Sequence, residues 1–333
     1  MRGFVQTAVG SFEQRDLPRP VAGPGEVVLQ VRAALTCGTD IKLLARGHAR
    51  ISLPVTMGHE ACGEIVEVGP GVDHFTPGDR VVPGISGPCG ACRECSRGFE
   101  NLCAAGHADR AWGAFAELLR VPAGVVAANL HRAPDGLRDE IAAFLDPLAS
   151  VVHGWNRLAS VNGTLLVYGA GALGLLWAAT ARARGIAAIV AARGDPAGRL
   201  SAALAYGARV IDLDREPPNS AGLVDVAVDC TGDPEVWQRL ADLVAPGGKV
   251  LLFGGCAPGA TVTWDAARLH YSEIALIGSF HYTPEEARDA LALLASGEID
   301  PSPLITERGS LSDVPRFLEA QARREGIRYA VIP

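Results

Sequence analysis

Four cysteines that lie within fifteen positions form the densest group of potential metal ligands in this 333-residue chain: Cys89, Cys92, Cys95 and Cys103. Four thiolates fill a tetrahedral zinc ion and leave no position for a substrate, so this spacing predicts a closed, structural metal site. A disulfide framework is typical of small secreted domains, and in a reducing cytosol a metal is favoured. A redox C-x-x-C pair remains an alternative, although such pairs normally stand beside a βαβ unit.

A second group is less conspicuous and consists of Cys37 in TCGTD together with His59 and Glu60 in GHEACGEIVEVGPGV. A cysteine, a histidine and a carboxylate form the mixed ligand set of a catalytic zinc, which keeps one coordination position open. Each residue alone has an ordinary explanation, because a single cysteine commonly packs in a core and a His-Glu pair commonly lies at the surface. Together they predict a catalytic metal site.

A glycine-rich turn with the pattern G-x-G-x-x-G occupies residues 169–174, between a strand-like run and a helix-like run. Glycines at these positions let the backbone approach a pyrophosphate, which binds at the positive N-terminus of the helix. The pattern predicts a dinucleotide site with the cofactor-binding residues Gly169, Gly171, Ala172, Leu173 and Gly174.

The end of the following strand bears on the choice of nucleotide. An acidic residue at this point would bind the adenosine ribose of NAD, but the sequence IVAARGD has Ala192 and then Arg193. A guanidinium suits the 2′-phosphate, so NADP is favoured over NAD. The alternative is that Arg193 is solvated and Asp195 binds the ribose.

The elements that must position these groups differ between the two parts of the chain. Residues 1–148 alternate short Val-rich runs with Gly and Pro, which predicts a small irregular barrel or sandwich. From Thr164 onward, apolar strand-like runs alternate with helix-like segments, which predicts a doubly wound parallel sheet. Thr283 and Gly297 are expected to bound a further helix. The chain is therefore expected to be α/β with two domains.

Composition limits the partners. The net charge of -7, from 30 basic and 37 acidic residues, leaves no broad basic face, so nucleic acid is not expected. No apolar run reaches the roughly 18 residues of a membrane span, and the N-terminal stretch MRGFVQTAVGSFEQRD lacks the apolar core of a secretory signal. We expect a cytoplasmic protein without a membrane partner.

These motifs together resemble the zinc-dependent medium-chain dehydrogenase/reductase family, which includes alcohol, polyol and threonine dehydrogenases. The resemblance covers nearly the whole chain and is carried by Gly58-His59-Glu60-x-x-Gly63-x5-Gly69-x-x-Val72, the cysteine cluster and the glycine-rich turn. It implies a GroES-like, β-rich catalytic domain made from residues 1–148 and 282–333, with a Rossmann domain of residues 149–281 between them. It also implies two zinc ions per chain, one catalytic and one structural, and a homodimer or homotetramer.

The resemblance further implies roles for single residues. Cys37 and His59 would bind the catalytic zinc, and Glu60 would be a further ligand or exchange with water. Asp146 stands where liver-type alcohol dehydrogenases have Cys and polyol-type members have Glu, and this shorter carboxylate would bind zinc directly or through water. Thr39 would pass on the proton of the alcohol, so that the implied catalytic residues are Thr39, His59 and Glu60.

The implied reaction is the reversible transfer of hydride between a hydroxyl-bearing carbon and NAD(P), with zinc lowering the pKa of the bound alcohol. The substrate would be a small secondary alcohol or polyol, or the carbonyl compound in reverse. The candidate substrate-pocket residues are His48, Trp112, Phe280, His281 and Tyr282. Hydrogen-bonding side chains in this set would suit a polyol, a sugar derivative or an amino alcohol, whereas the alternative for 280–282 is packing at a hinge.

Two other functions fit parts of the pattern. A non-catalytic zinc-binding scaffold would have the same fold but an incomplete catalytic ligand set. An NADPH-dependent carbonyl or quinone reductase of the zinc-free branch normally lacks both the Cys-His pair and the cysteine cluster. Zinc content distinguishes the three, with about two ions per chain for the dehydrogenase, about one for the scaffold and none for the reductase.

Overall fold

The computed structural model describes three stretches of the chain: 1–47, 51–194 and 198–333. The predicted pocket residue His48 and the alternative ribose partner Asp195 lie outside the described residues. The chain divides into two compact units. The first consists of Met1–Ala149, Tyr282–Gly297 and Ile305–Pro333, and the second consists of Ser150–His281 and Glu298–Leu304.

Both units contain helices and strands, numbered here in chain order. The strands are β1 Arg2–Ala8, β2 Ser11–Asp16, β3 Val27–Leu35, β4 Val55–Thr56, β5 Glu60–Val68, β6 Arg80–Pro83, β7 Leu118–Val121, β8 Leu130–Arg132, β9 Thr164–Tyr168, β10 Ala187–Ala192, β11 Arg209–Asp212, β12 Val224–Asp229, β13 Val244–Leu252, β14 Ala275–Gly278, β15 Ile305–Gly309 and β16 Arg328–Val331.

The α-helices are α1 Gly38–Arg46, α2 Arg93–Ser96, α3 Ala104–Ala108, α4 Ala123–Ala128, α5 Asp139–Ala142, α6 Leu145–Leu158, α7 Ala172–Ala183, α8 Arg199–Ala205, α9 Pro234–Leu243, α10 Ala266–Tyr271, α11 Pro284–Ser296 and α12 Val314–Ala322. As predicted, α11 follows an N-cap at Thr283 and ends at Gly297, which adopts the left-handed conformation. Of the helices in the described stretches, none combines the length and the apolar character that crossing a bilayer requires.

The first unit is built mainly from antiparallel strands. β1 pairs with β2 and β4, and a larger sheet has the order β15-β16-β3-β5-β6-β8, with β7 also paired to β3. The central strand β3 is buried along most of its length, because apolar residues such as Val27, Leu29 and Val31 pack in a core that also contains Phe115 and Phe317. The β-rich character predicted for the N-terminal part is confirmed.

The second unit is a parallel sheet with the order β11-β10-β9-β12-β13-β14, flanked in sequence by helices. Its strands are short apolar runs such as TLLVY in β9, as expected for strands that are buried on both faces. The strand order reverses between β9 and β12, which is the topological switch point where Rossmann folds bind dinucleotides. The predicted α/β class with a doubly wound sheet is confirmed.

Candidate metal centres and nucleotide site

Strand pairing brings the predicted catalytic metal ligands together. β3 and β5 are antiparallel, with Leu35 opposite Glu60, so Cys37, just beyond the end of β3, lies beside His59, just before the start of β5. Donor atoms of Cys37, His59 and Glu60 all lie within 4.8 Å of one another. All three side chains are buried, so they converge on one small interior site.

The start of α1 fixes the cysteine. Cys37 is the N-cap of this helix, and its Sγ accepts a hydrogen bond from the backbone N–H of Thr39 at 3.5 Å. The backbone N–H of Cys37 in turn donates to Oδ2 of Asp40 at 2.8 Å. A capping box therefore holds Sγ in place. The side chain of Thr39 is exposed in the first turn of the same helix, beside the cysteine.

Asp40 is a functional candidate that the sequence reasoning missed. It is fully buried, and its Oδ1 lies 3.4 Å from Nδ1 of His59. A carboxylate beside one ring nitrogen of a metal-binding histidine fixes the tautomer and the ring orientation, so that the other nitrogen can bind the metal. That other nitrogen, Nε2, lies 4.0 Å from Oε1 of Glu60. The available signal was the Asp three positions after the cysteine, at a helix start.

Arg328 is the second missed residue, and it reaches the site from the opposite end of the chain. It begins β16, which pairs antiparallel with β3 and brings Arg328 beside Thr36. Nη1 of Arg328 lies 2.9 Å from Oε2 of Glu60 and also donates to the carbonyl oxygen of Thr36. The side chain is 2% exposed. No local pattern around Arg328 indicates this role, because the contact depends on strand pairing.

The charges of this group fit a cation. Burial would raise the pKa of the Cys37 thiol, but the positive charges of Arg328 and His59 bring it down to about 6. Burial raises the pKa of Glu60 despite the nearby guanidinium. Oε1 of Glu60 is a buried oxygen with no hydrogen-bond partner in the described stretches. A thiolate, an imidazole and an incompletely satisfied buried carboxylate are the donors that a catalytic zinc uses, so the residues fit this metal.

The backbone around Gly58 places Trp112 against His59. Gly58 has a φ of 89°, and a Cβ there would come within 2.7 Å of the backbone nitrogen of Phe115, so only glycine fits. Its carbonyl accepts a hydrogen bond from Gly113 N at 2.8 Å. The adjacent ring of Trp112 stacks on the His59 ring, with centroids 4.6 Å apart and planes within 7°. The predicted pocket residue Trp112 thus contacts a candidate metal ligand.

Asp146 contacts Tyr282, the buried member of the segment at 280–282. Asp146 is in the first turn of α6 and, among the described residues, stands outside the group formed by Cys37 and its two partners. Its Oδ1 accepts a hydrogen bond from the hydroxyl of Tyr282 at 2.6 Å. Tyr282 is 2% exposed, whereas Phe280 is 53% exposed and His281 has a left-handed backbone with a φ of 59°. Phe280 and His281 belong to the second unit.

The cysteine cluster is compact and local. Sγ atoms of all four residues lie within 4.8 Å of one another, and those of Cys92 and Cys95 are 3.4 Å apart. Cys103 Sγ accepts hydrogen bonds from the backbone N–H groups of Cys89 and Gly106. All eight cysteines are free thiols.

The ionisation of this cluster also favours a bound cation. Backbone N–H groups of Ala91 and Cys92 lower the pKa of Cys89 to about 6. Burial and the neighbouring thiols raise the pKa of Cys95 to about 12. Because the thiols oppose one another's ionisation, four thiolates would require a cation among them, and the geometry fits a closed zinc site.

The glycine-rich turn lies at the switch point of the parallel sheet. A Cβ on Gly174 would come within 1.9 Å of the carbonyl oxygen of Gly169, so this glycine allows close packing of helix on turn. A Cβ on Gly171 would meet no atom within 4 Å. Gly171 is the N-cap of α7 and provides no side-chain cap, so the N–H groups of the first turn are the donors that a bound phosphate would use. Arg193 is exposed and directly follows β10.

Comparison with known proteins gives a consistent result. The family model for the alcohol dehydrogenase GroES-like domain matches residues 23–134, and the model for zinc-binding dehydrogenases matches residues 172–296. An L-threonine 3-dehydrogenase of Streptomyces coelicolor is 34% identical over 325 residues, covering 93% of each chain. A sorbitol dehydrogenase of Halalkalibacterium halodurans is 30% identical and covers 100% of this chain and 99% of its own.

Solved structures agree in fold. A zinc-binding dehydrogenase of Sinorhizobium meliloti, determined with bound NADP, superimposes with a TM-score of 0.88 at 30% identity and covers 100% of this chain and 99% of its own. An alcohol dehydrogenase from Thermus sp. ATN1 gives a TM-score of 0.88 at 27% identity, with 100% and 99% covered.

Proposed function

Because the chain belongs to the zinc-dependent medium-chain dehydrogenase family, we propose that it oxidises a secondary-alcohol or polyol-type hydroxyl reversibly with NAD(P). The observation that carries the proposal is the convergence of Cys37, His59 and Glu60 in one buried site that lies at the ends of paired strands. Burying charged donors costs free energy, and here Arg328 balances the charge of Glu60 while Asp40 lies beside His59. This arrangement favours a catalytic metal site over a scaffold without catalysis.

Each residue has a part in the proposed mechanism. A zinc ion, when bound, acts as a Lewis acid that makes the proton of a substrate hydroxyl easier to remove. Cys37 and His59 would hold the ion, and Asp40 would keep the His59 ring in the metal-binding orientation. Glu60 would be a ligand or exchange with water, its charge balanced by Arg328.

Proton removal is assigned to Thr39. Thr39 is an exposed residue in the first turn of α1, two residues beyond Cys37, and its hydroxyl would accept the proton of the substrate and pass it to solvent. NAD(P), when bound, would supply the acceptor for the hydride from the carbon that bears the hydroxyl. Asp146 is the additional carboxylate that we assign to this site, acting on the ion directly or through water.

The cysteine cluster is proposed to hold a second zinc with a purely structural role. Cys89, Cys92, Cys95 and Cys103 would occupy all four positions of a tetrahedral ion, which leaves none for a substrate. Each chain would then bind two zinc ions. We further propose that the protein is cytoplasmic and forms a homodimer or homotetramer; sedimentation velocity would test the oligomeric state.

NADP is proposed as the preferred cofactor. The absence of an acid at the end of β10, where Ala192 is followed by the exposed Arg193, and the NADP bound to the S. meliloti structure support this preference. The double variant Ala192→Asp with Arg193→Ala should reverse it, which the ratio of kcat/KM values for NADP and NAD measures. An unchanged ratio would exclude Arg193 as the determinant.

The substrate class is tested by an oxidation screen with both cofactors. The relatives are named for a hydroxy amino acid, L-threonine, and for a polyol, sorbitol, so both classes belong in the screen with amino alcohols and simple secondary alcohols. We propose that Trp112, Phe280 and His281 contribute to the choice. Turnover of at least one class, together with about two zinc ions per chain by metal analysis, is the expected result. One zinc and no turnover would favour the scaffold.

A further inference from the structure

Asp229 is a fully buried acidic residue at the carboxyl edge of the parallel sheet, where the glycine-rich turn also lies. It ends β12, and its register partner in β9 is Tyr168, the residue directly before the turn. A buried carboxylate costs free energy unless hydrogen bonds satisfy its oxygens, so its partners show which parts of the fold it holds together.

Four donors from the next segment of the chain satisfy the two oxygens of Asp229. Oδ1 accepts hydrogen bonds from the backbone N–H of Thr231 at 2.9 Å and from the hydroxyl of the same residue at 2.6 Å. Oδ2 accepts from the backbone N–H of Gly232 at 2.9 Å and from the indole N–H of Trp237, in α9, at 2.8 Å. The carboxylate therefore fixes residues 230–233, here called the β12–α9 loop, to the end of β12.

The hydroxyl of Thr231 extends this network to the helix. Its Oγ1 accepts a hydrogen bond from the backbone N–H of Asp233 at 3.1 Å, and a backbone N–H can only donate, so the single hydroxyl proton is available for Asp229. Asp233 is the N-cap of α9 and accepts from the backbone N–H of Glu235 at 2.9 Å. The rotamer of Thr231 is thus fixed from both sides.

The β12–α9 loop contacts the glycine-rich turn directly. The backbone N–H of Cys230 donates to the carbonyl oxygen of Tyr168 at 2.9 Å. A Cβ on Gly169 would come within 3.0 Å of Cγ2 of Thr231, so the methyl group of Thr231 packs against the first glycine of the turn. A movement of the loop would therefore be transmitted to the turn.

The opposite side of the loop is packed closely as well. A Cβ on Gly232 would come within 2.4 Å of the carbonyl oxygen of Gly255, which follows β13. A Cβ on Gly254 would come within 2.6 Å of Oδ2 of Asp229, and the backbone N–H of Gly254 donates to the carbonyl oxygen of Asp229 at 2.8 Å. This close packing leaves little room for the loop to replace a lost hydrogen bond by moving.

We propose that Asp229 is a positioning residue of the nucleotide site, whose carboxylate holds Thr231 and the β12–α9 loop against the glycine-rich turn in the shape that binds NAD(P). The inference rests on the proposed function and deepens it. Since the side chain of Asp229 is fully buried and both of its oxygens are engaged, it acts through Thr231 and its loop and not by contact with the nucleotide.

The central test is Asp229→Asn in the full-length protein, with NADP and NAD as the probes. Asparagine has one acceptor oxygen and an amide group that only donates, so it cannot accept from Thr231 and also from Gly232 and Trp237. The nucleotide Kd, measured by fluorescence titration, should rise about tenfold, as expected for the loss of a hydrogen bond to a charged group. The nucleotide KM should rise by a similar factor while kcat stays within about twofold.

Asp225→Asn is the matched control. Asp225 lies near the opposite end of the same strand, where its Oδ2 accepts a hydrogen bond from the backbone N–H of Thr164 at 2.7 Å. This variant also removes a carboxylate that holds a backbone N–H, but at the edge of the sheet away from the glycine-rich turn. Its nucleotide Kd should stay within about twofold of the wild type, even if its Tm falls as much as that of Asp229→Asn.

Two variants of Thr231 test the inference without changing the carboxylate, and they replace the central test if Asp229→Asn does not fold. Thr231→Val keeps a methyl group against Gly169 but lacks the hydroxyl that donates to Asp229, so the nucleotide Kd should rise about fivefold. Thr231→Ser keeps the hydroxyl and should bind nucleotide within about twofold of the wild type. A role of bulk alone would give the reverse order.

A folded Asp229→Asn variant that binds nucleotide as tightly as the wild type would overturn the inference, and so would a fall in kcat without a rise in Kd. An unchanged Kd in Thr231→Val would have the same meaning. Failure of the proposed function looks different, because the wild-type protein itself would then bind neither NADP nor NAD.

Discussion

The two cysteine-containing sites are built in opposite ways. The cluster of Cys89, Cys92, Cys95 and Cys103 comes from one loop, with short helices α2 and α3 and backbone N–H groups of the same loop around its sulfur atoms. The other site takes Cys37 from the end of β3, His59 from the start of β5 and Arg328 from β16 near the C-terminus. The spacing of cysteines along the sequence forms the cluster, whereas the pairing of distant strands forms the site at Cys37, His59 and Arg328.

This difference in construction corresponds to a difference in chemistry. The cluster is at the surface in part, with Cys89 exposed, and its four similar donors leave no free coordination position. The second site is buried and combines thiol, imidazole and carboxylate with an arginine that balances charge. A closed set of equal ligands can only stabilise a loop, whereas an unequal and incomplete set can bind a substrate.

The largest effect that would sharpen this contrast is expected from His59→Ala. Loss of the buried imidazole should remove the catalytic metal and with it several kcal/mol of transition-state stabilisation, so kcat should fall by about 10³-fold or more. Nucleotide binding, measured by fluorescence titration, and the zinc of the cysteine cluster should both remain. Retained turnover would show that the mixed site is not catalytic.

Cys95→Ser is expected to lower the stability of the protein and to leave its kcat nearly unchanged. Cys95 is buried and belongs to the closed cluster, so its loss should release the structural zinc and lower Tm by about 10 °C or more. The kcat of the protein that remains folded should change little. Cys256→Ser is the matched control, because Cys256 belongs to neither donor group. Unchanged Tm and zinc content would contradict the structural role.

The same contrast explains how much the sequence could predict. The cysteine cluster and the glycine-rich turn were identifiable because each is a local pattern whose spacing carries its chemistry. The α/β class and the parallel sheet were also predictable, since apolar runs alternate in a regular way. Arg328 was not predictable, because only the pairing of β16 with β3 brings it to Glu60, and strand register depends on residues far apart in sequence.

The Asp40 and Tyr282 contacts illustrate an intermediate case. Asp40 stands three positions after Cys37, where the sequence permits a carboxylate that caps the helix or one that contacts His59. In the fold, Oδ2 accepts a hydrogen bond from Cys37 N and Oδ1 lies beside Nδ1 of His59. Tyr282 was expected from the family resemblance in a substrate pocket, and its hydroxyl donates to Asp146. The direction of these side chains depends on how helices and strands pack against one another, and a sequence pattern does not predict that packing.

Asp40→Asn should have a smaller effect than the loss of a metal ligand. The amide keeps the shape and can still accept a hydrogen bond from Cys37, but it lacks the charge that orients His59. Affinity for the catalytic metal should fall about 10-fold to 100-fold, as measured by competition with a chelator. Asp79→Asn is a suitable control, because Asp79 also accepts a backbone hydrogen bond, from Thr76 at 2.8 Å. Equal losses in both variants would contradict a specific role.

The smallest effect is expected from Trp112→Leu, which tests whether the surroundings of the mixed site matter beyond its ligands. The indole stacks on His59 with a centroid distance of 4.6 Å, and aromatic pairs contribute about 1 kcal/mol beyond the area that they bury. Leucine keeps apolar bulk but lets the imidazole rotate, so metal affinity and kcat should each fall about fivefold. Phe12→Leu also removes an aromatic ring contact, with Phe4 at a centroid distance of 6.1 Å, and should leave metal affinity and kcat unchanged. If Trp112→Leu instead raises only KM, the indole contacts the substrate and does not orient the histidine, and the carboxylate of Asp40 is then the contact that orients His59.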